Sequence, residues 1–131
     1  MVTEPQYEES RSIRRKLKKD GEKEPTPQEI ALSKKMQLSK ELLEAVQAAQ
    51  IAENDARFYS FAIENDLTEL LRLQSDQTLT DAEKENKLDT LQAQLNNHEF
   101  IFSKSVSTWV SNARKSDNLK KVIAEIDARY F

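Results

Sequence analysis

From Gln28 to Phe131 the chain runs for 104 residues without a single glycine or proline. Those two residues mark most tight turns and end most strands, so their absence argues against a β-rich fold. Helices tolerate it, because side-chain caps can mark their ends instead. The only glycine is Gly21, and the prolines are Pro5, Pro25 and Pro27. The punctuation is therefore confined to the first fifth of the sequence.

Three capping boxes stand where helices are expected to begin. Thr3-Glu4-Pro5-Gln6 opens a short helix over about residues 4–20. Thr26-Pro27-Gln28-Glu29 opens a long one over 27–74, with Thr26 as cap and Pro27 in the first helical position. Thr80-Asp81-Ala82-Glu83 opens another over 81–115, after a turn at 75–80. Ser116-Asp117-Asn118 is a weaker start signal, placing a last short helix at 118–131. The domain reading is a basic N-terminal helix and proline-containing linker, 1–26, followed by a helical hairpin with a C-terminal amphipathic helix, 27–131.

A 4-3 spacing along the first long helix selects Leu38, Leu42, Ala45, Ala49, Ala52, Ala56, Tyr59 and Ile63, then Leu70 and Leu73, with Asp66 interrupting. Along the next it selects Leu88, Leu91, Leu95, His98, Phe102, Ser105 and Trp109. Seven-residue periodicity of this kind specifies a seam facing another helix. Folding at 75–80 sets Leu70 opposite Leu88, Ile63 opposite Leu95, Ala56 opposite Phe102 and Ala49 opposite Trp109. Small residues of one helix then face large residues of the other, as dense packing requires. The last segment carries its own apolar face in Leu119, Val122, Ile123, Ile126 and Tyr130. The expected fold is all-α: a long, coiled-coil-like antiparallel hairpin with short helices at both ends.

Hydrophobic residues make up 37% of the chain and charged residues 33%, a balance that suits helices burying one stripe each. No apolar run approaches membrane-spanning length, and Met1-Val2-Thr3-Glu4-Pro5 lacks the apolar core of a signal peptide. A soluble protein of the cytoplasm, or one housed within a virion, is expected. With no cysteine, disulfides and thiolate metal sites are excluded.

Motifs for chemistry are scarce. The single histidine, His98, rules out two-histidine metal motifs, and no Glu-x-x-His occurs. One glycine cannot build a phosphate-cradling loop. Glu41-Leu42-Leu43-Glu44 resembles the first half of the metal site of helical nucleotide pyrophosphohydrolases, but the second half, a Glu-x-x-Asp, is missing. His98 falls on the seam and reads as a packed histidine, and the serines nearby lack the sharp turn and amide pair of a hydrolase site. The expectation is a protein that is not an enzyme and needs no cofactor or metal.

Two features point to partners instead. Arg11, Arg14, Arg15, Lys16, Lys18 and Lys19 form a run with no acid among them. Its readings are a solvated arm, or contact with nucleic-acid phosphates, an acidic protein or an anionic membrane. The second feature is a set of apolar residues too widely spread around the helices for one seam: Phe58, Phe61, Phe100 and Ile101, joined by Ile126, Tyr130 and Phe131. Helices apolar over more than one stripe meet more than one neighbour. The expected role is a non-catalytic assembly or adaptor protein, such as a structural, scaffold or chaperone-like subunit of a larger complex, possessing a protein partner or forming a homo-oligomer. The alternative is a nucleic-acid-binding helical accessory protein that uses segment 11–19.

Overall fold

The computed structural model of the protein describes residues 24–131. The described residues form two α-helices packed against each other, α1 (Pro27–Gln74) and α2 (Asp81–Tyr130), and no strand occurs among them. The expected N-terminal helix at 4–20 lies outside the described residues. No helix among the described residues is long and apolar enough to cross a membrane.

Both helices begin where their caps predict. The Glu29 amide donates to Thr26 Oγ1 at 3.1 Å, and the Glu83 amide donates to Thr80 Oγ1 at 3.2 Å. Each bond satisfies one of the amides that a helix start leaves without an intrahelical partner, contributing about 1 kcal/mol. Between the helices, short polar side chains supply the turn that glycine would ordinarily make. Ser75 Oγ donates to the Leu71 carbonyl at 3.1 Å, closing the end of α1. Asp76 Oδ1 accepts from the Thr78 amide at 2.8 Å and from its hydroxyl at 2.6 Å, an Asx-type turn. Lys84 Nζ then reaches back to the Gln74 carbonyl at 3.2 Å, placing a cation on the negative end of the α1 dipole.

The chain divides into two compact units. One holds Val46–Arg114: the second part of α1, the turn and the first part of α2. Here the two helical segments run antiparallel. Gln74 meets Lys84 beside the turn, Asp66 meets His98 further on, and Ala48 and Thr108 line one groove further still. The other unit pairs the first part of α1 with Lys115–Phe131. In it, Gln28 Nε2 donates to the Tyr130 carbonyl at 3.3 Å, and Lys35 Nζ lies 2.6 Å from Asp127 Oδ1. The same ammonium sits 5.6 Å from the centre of the Phe131 ring.

Burial follows the seven-residue repeat. On α1 the buried side chains are Ala31, Leu38, Ala45, Ala52, Ala56, Asp66 and Leu73. All but Ala56 share one heptad position, which Tyr59 completes, and Ala56 holds the other seam position with Lys35, Leu42, Ala49, Ile63 and Leu70. On α2 the seam runs Leu88, Leu91, Leu95, His98, Phe102, Ser105, Trp109 and onward. His98 touches both Asp66 and Tyr59, so it sits across from the turn between them, within one turn of the level expected from pairing Ile63 with Leu95.

The separate last helix is not formed. α2 continues unbroken through Ser116-Asp117-Asn118 to Tyr130. The reason lies in the repeat itself. After Trp109 the seam positions are Asn112, Ser116, Leu119, Ile123, Ile126 and Tyr130, still spaced by three and four. Asn112 and Ser116 fill two of these with polar residues, so the apolar pattern fades while its phase persists. Asn112 Nδ2 donates to the Thr108 carbonyl at 2.9 Å within the helix, and Ser116 is buried. With no proline or glycine to stop it, a polar pair in phase does not end a helix.

Two expectations test this account. Ala56→Leu adds three carbons at a buried seam position and should cost about 1–3 kcal/mol, read as a lowered denaturant midpoint; an unchanged midpoint would place Ala56 outside the packed seam. At the turn, the Thr78 hydroxyl and then its amide hold the Asp76 carboxyl below the ordinary aspartate value of 3.8. A carboxyl lowered in this way stabilises the fold above that value and loses its contribution as pH falls through the folded value. The gap in melting temperature between the native chain and Asp76→Ala should therefore shrink on acidification; a gap constant from about pH 6 to about pH 2 would contradict the assignment.

Candidate functional site

The most concentrated chemistry among the described residues lies inside the seam. Asp66 occupies a heptad position where the repeat calls for an apolar residue, and it is only 4% exposed. An ionised carboxylate buried alone is costly, so its oxygens must be bonded. Gln94 Nε2 donates to Oδ1 at 2.7 Å, and His98 Nδ1 lies 2.6 Å from Oδ2. A carboxylate can only accept, so beside ionised Asp66 the His98 proton belongs on Nδ1. The imidazole also rests against Tyr59, with ring centres 5.7 Å apart.

An aspartate orienting a histidine is one half of an acid–base device. A nucleophile held on the other ring nitrogen would make the second half. Among the described residues His98 makes one hydrogen bond, to Asp66, and no group of three or more His, Asp or Glu is placed to hold a metal ion. What the geometry supplies is a polar contact across the helix pair, joining Asp66 of α1 to Gln94 and His98 of α2.

The apolar residues singled out from the sequence fall into two groups. In the unit containing the turn, Phe58, Phe61 and Phe100 are 65%, 67% and 67% exposed, while Ile101 is half-buried. Phe58 packs edge-on against Tyr59 at 5.2 Å, which holds its ring upright without covering it. Ile101 lines an open groove of about 380 Å³ with Ala48, Ile51 and Ala52, and Asp55 and Lys104 stand on opposite walls. In the other unit, Ile126 and Tyr130 are half-buried seam residues, whereas Phe131 is exposed. The basic residues Arg11, Arg14, Arg15, Lys16, Lys18 and Lys19 lie outside the described residues.

Sequence reasoning passed over a second exposed apolar stripe. Leu32, Met36 and Leu43 project from the first part of α1, and Leu67 and Leu71 repeat the same two heptad positions near its end. The signal was present. These residues sit one position beyond each seam residue, so the apolar arc on α1 is broader than a two-helix seam uses. Comparison with protein-family models, with curated proteins and with solved structures finds no match to this chain.

The buried polar cluster generates a sharp expectation. His98→Leu leaves one oxygen of a buried carboxylate without a donor and should cost about 1–3 kcal/mol. Replacing both partners, Asp66→Leu with His98→Leu, should recover most of that loss or exceed native stability, since an apolar pair often outperforms a buried polar one. Chemical denaturation of the three variants checks this. A double variant as unstable as the sum of the singles would contradict the pairing.

Proposed function

We propose that the protein is a non-catalytic assembly or adaptor subunit, of a structural, scaffold or chaperone-like kind, that works by offering helical apolar faces to other proteins. The supporting observation is the placement of its large side chains. Met36, Leu43, Ile51, Phe58, Phe61, Leu71, Phe100 and Phe131 are each more than half exposed. Scattered single residues of this kind need no explanation, but runs that recur along a helix face mark sites of contact. The matching partner chemistry is another amphipathic helix, whose apolar residues at three- and four-residue spacing interleave with these.

A photo-reactive phenylalanine analogue placed at Met36, Phe61 or Phe100 tests the reading, with the polar, exposed Asn86 as control. The full chain is expressed in the cells from which the gene derives and illuminated. The apolar positions should cross-link to protein, either another copy or a different chain, while Asn86 does not. Absence of protein adducts at all three positions would overturn the reading. Nucleic-acid adducts in their place would favour the runner-up, in which the basic segment 11–19 brings the chain to a phosphate backbone.

A further inference from the structure

We infer that the groove bounded by Ile51, Ile101, Asp55 and Lys104 receives a second copy of this chain, related by a two-fold axis running parallel to the helices. The inference rests on the protein-contact reading above and specifies one partner and one surface for it. Three observations within the Val46–Arg114 unit carry it.

The first is shape. Ala48, Ala52 and Ser105 form a low floor between α1 and α2, with about 380 Å³ of open space above. Ile51 and Phe58 stand beside it, 63% and 65% exposed. The surface thus carries both a depression and the projections to fill one. That is what self-association through a single patch requires, since each copy must present both halves of the fit.

The second is charge. Asp55 and Lys104 face the groove from opposite helices, and neither takes part in a side-chain ion pair or hydrogen bond among the described residues. A lone acid on one wall and a lone base on the other match a copy of themselves turned by half a revolution. Each Asp55 then meets the Lys104 of the other copy, giving two symmetric pairs.

The third is level. Because the helices are antiparallel and His98 lies between Tyr59 and Asp66, positions whose numbers fall equally either side of the turn lie at one height. Asp55 shares its height with Lys104, and Phe58 with Ile101. A two-fold axis along the helices sets α1 of one copy over α2 of the other without any axial shift. Every one of these pairs then forms across the interface at once, charge to charge and ring to apolar residue. All neighbouring helices in the resulting four-helix arrangement run antiparallel, the geometry in which helix dipoles oppose favourably.

The test uses the full chain and sedimentation velocity over a concentration series, with circular dichroism to confirm that each variant keeps its helix content. The native chain should dimerise. Asp55→Lys and Lys104→Asp should each weaken the dimer by about tenfold or more, and the double variant should restore it, because the swapped charges meet again across the axis. Phe58→Glu, at an exposed site on the heptad position of Ile51, should yield folded monomers. A monomer at every concentration overturns the inference, as does a dimer indifferent to the charge swap and to Phe58→Glu. If the chain is monomeric while Phe61 still cross-links to a different protein, this inference fails and the wider reading stands.

Discussion

The seam between α1 and α2 is narrow. Heptad spacing gives each helix two positions in seven to face its mate, and every other position looks sideways or outward. What the chain places in those two positions therefore decides how closely the helices approach, how firmly they are held and in which register. Among the buried seam residues of α1 alanine is the commonest: Ala31, Ala45, Ala52 and Ala56, beside Leu38 and Leu73. A methyl group contributes only about 0.8 kcal/mol on burial, against about 1.5–3 kcal/mol for leucine. The alanines add little by area. Their effect is to bring the α1 backbone close enough for the larger residues of α2 to pack against it.

Such a seam is poor at choosing its own register. Ala49, Ala52 and Ala56 offer nearly the same surface at successive heptad positions, so sliding one helix by seven residues costs little in shape alone. The Asp66 cluster removes that freedom. Its carboxylate finds Gln94 at 2.7 Å and His98 at 2.6 Å in one alignment. After a seven-residue slide it would remain buried with those donors a full two turns away, at the cost of an unsatisfied charge. A polar group that weakens an apolar seam can in this way make it unique, as single buried polar residues do in coiled coils. The turn adds a second restraint. Ser75, Asp76, Thr78 and Thr80 fix its length through their own hydrogen bonds, and Lys84 ties it to the end of α1.

Much of this was legible in the sequence because capping and heptad spacing are local signals. Thr26 and Thr80 mark the two helix starts, and 104 residues without glycine or proline leave the intervening chain no other regular structure to adopt. Two parts read differently for the same reason: a polar residue in phase looks like a break in an apolar pattern. Asp66 looked like an interruption of the seam, yet it is a buried member of it. Ser116-Asp117-Asn118 looked like a boundary, yet Ser116 and Asn112 keep the phase that joins Trp109 to Leu119 in one helix. Heptad phase, more than hydrophobicity, carries the structure here. The exposed stripe of Leu32, Met36 and Leu43 was hidden differently. Apolar residues beside a seam look like part of it until their exposure is known.

The distribution of side-chain size then acquires meaning. Compact monomers commonly place phenylalanine inside and spend alanine freely on exposed helix faces. In α1 the order is reversed, with alanines at the seam and Phe58 and Phe61 turned outward, and Phe100 turned outward on α2. Folding of the helix pair gives no reason for three exposed phenyl rings. Lysine, glutamate or glutamine at those sites would hold a helix as well and keep it more soluble. Exposed aromatic residues carry a hydration cost that is recovered only when something covers them. The alanine seam and the aromatic exterior are two sides of one allocation. The α1 side of the seam is kept small, with Phe102 and Trp109 of α2 packed against it, while Phe58, Phe61 and Phe100 stand exposed.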